Sequence, residues 1–264
     1  MHLIPVVASL LFGFVCALTL LTATITVYPV TPFQEGIGSL GNAAYFVILV
    51  AVGATLIYIL LKHRNLRVIT FITGFALITA TFMLSMIYLS ALLSALNSPY
   101  ADMLSLVSSI MITAAAIFAI FRTHSRIGSL AVLLLGGALG TFLGSTIQTQ
   151  STILILAALA VYDAFAVYRG PVGKIAKGGL ENLRGLSYSF GDIQMGLGDL
   201  TFYSMLSGHM LLYFGYAAFV ASIIGILGGC ALSFKMLEKK GMFPGLPFPI
   251  LFGLVAGFLT TLIS

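Results

Sequence analysis

Charge is what this sequence has least of: Asp, Glu, Lys and Arg make up 7% of its 264 residues, against about 25% in ordinary soluble domains. With 60% of the chain hydrophobic, no soluble core is large enough to bury it. A second, soluble domain has no sequence left to occupy. Cysteine is scarce too. Cys16 and Cys230 lie in apolar stretches, without CxxC spacing or a disulfide framework, and read as small core residues. No set of His, Cys and acidic residues has the spacing of a zinc site, so neither a metal nor another cofactor is implied. There is no internal repeat, which removes the usual support for an inverted-repeat transporter. The formal net charge of +5 does not indicate nucleic acid, because the basic residues come in small groups between apolar runs.

Those runs are membrane spans. A hydrocarbon core of about 30 Å takes about 20 apolar residues per helix. Breaking the chain at charges, prolines and polar clusters predicts nine helices, at 4–27, 41–62, 67–95, 103–121, 128–147, 151–168, 193–213, 216–236 and 246–263. The first apolar run, Leu3 to Val27, lacks a basic leader and exceeds the about 7 to 15 residues of a signal-peptide core, so it is expected to stay as a membrane helix.

The Lys and Arg residues test that count. Lys62, Arg64 and Arg67 follow the second predicted helix, Arg122 and Arg126 the fourth, Arg169, Lys174, Lys177 and Arg184 the sixth, and Lys235, Lys239 and Lys240 the eighth. The odd-numbered connections carry none. Basic residues beside spans stay cytoplasmic, so the expectation is an all-α membrane protein of nine transmembrane helices, N-terminus cytoplasmic and C-terminus outside. It reads as one polytopic domain over 1–264, with helices 1–5 (1–150) as scaffold and helices 6–9 (151–264) as the catalytic region. Small-residue ladders at Gly136, Gly140 and Gly144, at Ala221, Gly225 and Gly229, and at Gly253 and Gly257 are expected to pack helices within the chain.

Of seven acidic residues, Glu35, Asp102, Glu181, Asp192 and Glu238 fall in connections or at span ends. Asp163 and Asp199 do not. Each is predicted to lie about 9 to 10 Å inside the cytoplasmic end of its helix, and the two helices are consecutive and antiparallel. A carboxylate in a span costs at least about 2.5 to 3.5 kcal/mol, which makes it a functional residue by default. Neither aspartate has a basic partner within a span, the Lys and Arg residues falling at span ends or in connections. The arrangement left is a carboxyl pair sharing a proton: one member activates water against a peptide carbonyl while the other donates to its oxygen. Gly196 and Gly198, around Leu197, remove side-chain bulk just before Asp199 and permit close approach of another backbone.

At these positions the sequence resembles the presenilin and signal peptide peptidase family of intramembrane aspartic proteases. Tyr162-Asp163 is similar to the family's YD, Gly196-Leu197-Gly198-Asp199 to its GxGD, and Pro244-Gly245-Leu246-Pro247 to its PALP, with glycine at 245 in place of alanine. The resemblance is specific over 151–264 and covers the helix plan in outline. It implies a microbial presenilin-like endopeptidase, multi-pass in the membrane (the cell membrane in a prokaryote), that cuts transmembrane helices of substrate proteins. It implies catalytic roles for Asp163 and Asp199, support from Tyr162, Gly196, Leu197 and Gly198, and substrate positioning by Pro244 to Pro247. Prolines at 244, 247 and 249 also argue for an extended segment there. No obligate subunit is indicated. The short, glycine-rich connection from Arg169 to Asp192 is unlike the long loop presenilins cut in their own activation, which implies a chain that acts uncut. His209, about 15 Å along its helix from Asp199, is not expected to act as base or ligand.

The alternative outside enzymes is a proton- or cation-coupled transporter, since membrane aspartates also relay ions. Asp163 and Asp199 alone would allow it. A prepilin-type peptidase also uses a GxGD aspartate, but its second acid and larger cytoplasmic regions match less well.

Overall fold

The computed structural model describes residues 3–23, 29–63, 66–122, 126–168, 187–190, 193–240 and 243–263. Without water in a bilayer core, backbone groups must bond within their own segment, and the apolar runs accordingly form helices: α1 (Ile4–Thr22), α2 (Gly38–Lys62), α3 (Leu66–Ala95), α4 (Ala101–Arg122), α5 (Arg126–Thr146) and α6 (Thr149–Tyr168). Two short strands follow, β1 (Ser187–Phe190) and β2 (Ile193–Gly196), then α7 (Leu197–Lys240) and α8 (Pro247–Ile263). Helix α1 stops at Thr22 rather than at residue 27, with Ala23 extended at φ −91 and ψ 136. Residues 24–28 lie outside the described residues, as do Arg64, most of the 169–192 connection with its four basic residues, Glu181, and Asp192.

The described residues hold eight helices, not the nine expected. The stretches predicted at 193–213 and 216–236 are one 44-residue element, α7, broken only at Gly215. Left straight, such a helix would be about 66 Å long, twice the bilayer core. Gly215 takes φ 85 and ψ −173, a conformation L side chains rarely adopt, and the two halves of α7 come to lie side by side. Leu206 and Ile226, on opposite halves, both reach within 2.7 Å of where a Cβ at Gly253 of α8 would sit. Among the described residues, seven helices are long and apolar enough to cross a membrane, α8 being shorter.

A second correction concerns the start of α7. Residues 193–196, expected as its first turn, are strand β2, paired antiparallel with β1 in the register Ser187↔Gly196 and Phe190↔Ile193. Asp199 therefore sits in the first turn of α7, not deep within a helix. A third concerns the prolines. Among the described residues of this segment, 243–246 is non-helical, and Pro247 and Pro249 belong to the first turn of α8, where a missing N–H costs nothing because first-turn amides have no intrahelical partner.

The first half of α7 is the centre of the molecule: Leu200, Tyr203, Met205, Leu206 and Met210 are all at most 1% exposed. The glycine ladder of α5 makes this possible. Gly136 faces Leu200, Gly140 faces Thr201, Ser204 and Met205, and Gly144 faces Met205 and His209, so that one stripe of α5 carries α7 backbone to backbone. Gly225 and Gly229 do the same for α8, against Phe252 and Pro249. All of this is packing within the chain, as the ladders imply. On the other side, α2 to α4 turn Ile48, Phe71, Phe75, Met103 and Met111 outward, a surface suited to lipid.

A Cβ at Gly140 would fall onto the carbonyl oxygen of Thr201, with the Ser204 Cβ at 2.7 Å and the Met205 nitrogen at 2.8 Å. Gly140→Val is therefore expected to force α5 from α7 and destabilise by at least about 1–3 kcal/mol, the usual cost of overpacking. Thermal unfolding in detergent should show a clearly lowered midpoint. Gly53→Ala, where nothing lies within 4 Å, should leave it in place.

Candidate active site

Asp163 stands near the end of α6 and Asp199 at the start of α7. What brings them together is the segment that leads into α8. Leu246 is the last residue before that helix: its carbonyl accepts the first helical bond, from the Ile250 N–H at 3.0 Å. Its own N–H is free to point elsewhere, and it donates to Asp163 Oδ2 at 3.0 Å; the Gly245 amide is directed at the same carboxyl.

Gly245 lies against the other acid. A Cβ there would stand 2.8 Å from Asp199 Oδ2, 3.0 Å from its Cγ and 3.2 Å from its Oδ1. The two carboxyls thus flank one stretch of backbone, and Asp199 senses the charge of Asp163. The position of Asp199 in the first turn of α7 also suits an acid, since unsatisfied N–H groups collect at helix N-termini.

The neighbours expected from the motifs are distributed as follows. Gly196 ends β2 and its amide is directed at Asp199, while Gly198 is exposed, with Phe202 3.8 Å from its Cβ position. Leu197 instead packs toward α5, over Gly136. Tyr162 is partly exposed and close enough to Asp163 to feel its charge. Pro244 and Leu246 are buried, and Pro247 opens α8.

His209 has a structural place: Nδ1 lies 2.7 Å from the Gly144 carbonyl, Nε2 lies 3.1 Å from Thr149 Oγ1, and the ring stacks on Tyr213. It ties α7 to the turn between α5 and α6, away from the acids. Among the described residues no three His, Cys, Asp or Glu side chains gather as a metal site.

Two participants escaped the sequence reading. Tyr203, on α7, donates its hydroxyl to the Gly245 carbonyl at 2.8 Å, and Cys230, on the far half of α7, lies beside that hydroxyl. The signal for Tyr203 was its spacing of four residues from Asp199, which places both on one helix face. Nothing in the local sequence marks Cys230.

No family model matches the chain. It is similar to Presenilin-B of Dictyostelium discoideum, 28% identical over 246 residues that cover 86% of this chain and 50% of that protein. The chain thus spans about half the length of that curated relative. Its fold is that of a presenilin family intramembrane aspartate protease solved in two space groups, with TM-scores of 0.67 and 0.68 at 19% identity, covering 98% of this chain and 97% and 96% of those chains. Together with seven long apolar helices, these likenesses make the chain an integral, multi-pass membrane protein.

Proposed function

We propose that this chain, presenilin-like in sequence and in fold, is an intramembrane aspartic endopeptidase of the GxGD type whose catalytic pair is Asp163 and Asp199. The observation that carries the reading is the backbone at Gly245 and Leu246, held by Asp163 on one side and packed on Asp199 on the other. A site that already accommodates one strand of backbone between two acids has the dimensions for a peptide bond. One carboxylate takes a proton from water as the water attacks the carbonyl carbon; the protonated partner donates to the carbonyl oxygen. The resulting diol collapses as the amide nitrogen takes a proton and leaves. Both steps belong to the coupled pair rather than to a fixed acid and base.

The substrates are transmembrane helices of other proteins. Lys62, Arg67, Lys235 and Lys239 mark the end of the molecule that faces the cytoplasm, and the C-terminus faces outside because α7 crosses twice about Gly215. Purified protein in liposomes should convert a single-span test protein into two fragments, with the cut inside the span by mass spectrometry. A C-terminal tag on the protease should be digested from outside intact cells. Fragments cut only in water-exposed segments, or a protected tag, would contradict the respective assignment.

A further inference from the structure

We propose that Tyr203 is a positioning residue of the carboxyl pair, holding the Gly245–Leu246 peptide that in turn holds Asp163. This rests on the protease reading above. Tyr203 is 1% exposed and packed in the main apolar cluster, where a phenylalanine would fill the same space without a hydroxyl to satisfy. A buried hydroxyl is costly unless bonded. This one donates to the Gly245 carbonyl.

The N–H at the other end of that peptide unit is Leu246's, the one that donates to Asp163 Oδ2. The unit is planar and rigid, so a single amide joins α7 to α6. Fixing its oxygen fixes the direction of its N–H. Hydrogen bonds in series also polarise one another: donation to the carbonyl makes the N–H a stronger donor. The tyrosine's one proton goes to the Gly245 carbonyl. The two donors in series, the Tyr203 hydroxyl and the Leu246 N–H, thus hold the peptide against Asp163 Oδ2.

The test is Tyr203→Phe, assayed on a short peptide whose cleavage by the wild type is lost in Asp199→Ala. The expected result is a fall in kcat of about tenfold with KM changed by less than about twofold, and an unchanged melting midpoint. Hydrogen exchange gives a second readout that needs no catalysis. Prolines at 244, 247 and 249 leave Gly245, Leu246, Phe248 and Ile250 as the exchanging amides of the segment after Phe243. Leu246 should lose protection in Tyr203→Phe, as it does in Asp163→Ala. Wild-type kcat, a change in KM alone, unaltered Leu246 exchange, or a variant that fails to fold would each overturn the proposal. Wild-type cleavage indifferent to Asp199 would instead sink the protease reading, and the exchange result would still decide whether Tyr203 holds this amide.

Discussion

Alanine at Asp163 or at Asp199 is expected to reduce cleavage of a single-span substrate below about one per cent of wild type, because removing one member of a catalytic unit typically costs several decades of rate. The two losses should not add, since either acid alone lacks its proton partner. Folding is the necessary control. Asp163→Ala leaves the Leu246 N–H without its acceptor, a cost of about 1–3 kcal/mol, whereas Asp163→Asn keeps an acceptor oxygen and still removes the acid. Both variants should be inactive, with Asp163→Asn closer to wild type in thermal midpoint. Glu238, exposed near the end of α7, supplies the negative control, and Glu238→Ala should cleave normally. An Asp163→Asn variant with more than one per cent of wild-type activity would remove Asp163 from the chemistry.

Gly245→Val is expected to cost at least about a hundredfold in kcat while the helices stay assembled. The Cβ alone would stand 2.8 Å from Asp199 Oδ2 and 3.0 Å from its Cγ, closer than such atoms approach, and the two methyl groups beyond it must displace the carboxyl or the backbone. Displacing a reacting group by about 1 Å costs about a hundredfold. Gly245→Ala, which makes this position match the family's PALP, adds only that Cβ. A shift of a few tenths of an ångström relieves it, and the loss should be much smaller. Steady-state kinetics of the two variants, with circular dichroism as the fold check, decide the matter: equal effects of alanine and valine would mean that this backbone does not set the position of Asp199.

The membrane character of the chain was legible without any structure, because insertion energetics act residue by residue and 7% charge leaves no other solvent for it. So were the two acids to test. Asp163 and Asp199 stood out because a lone acid in an apolar run is expensive wherever the chain folds. The packing ladders were legible for a similar reason, small residues every fourth position making a stripe on any helix.

The tertiary structure decided where these parts sit. Residues 193–196 read as the beginning of a helix, yet they pair with 187–190, and strand pairing depends on a partner that local sequence does not name. That moved Asp199 from a helix interior to a first turn. The break predicted between 213 and 216 does fall at Gly215, but it is a single residue within one element rather than a connection between two helices, and nothing marks this glycine, among 28, as able to turn the chain alone. The peptide between the acids was invisible for the same reason: its bonds join Leu246 to Asp163 across 83 residues and Gly245 to Tyr203 across 42. A side chain's cost of burial is a property of the residue, but the partner that satisfies it is chosen only when distant helices pack, and that choice placed one amide between α6 and α7.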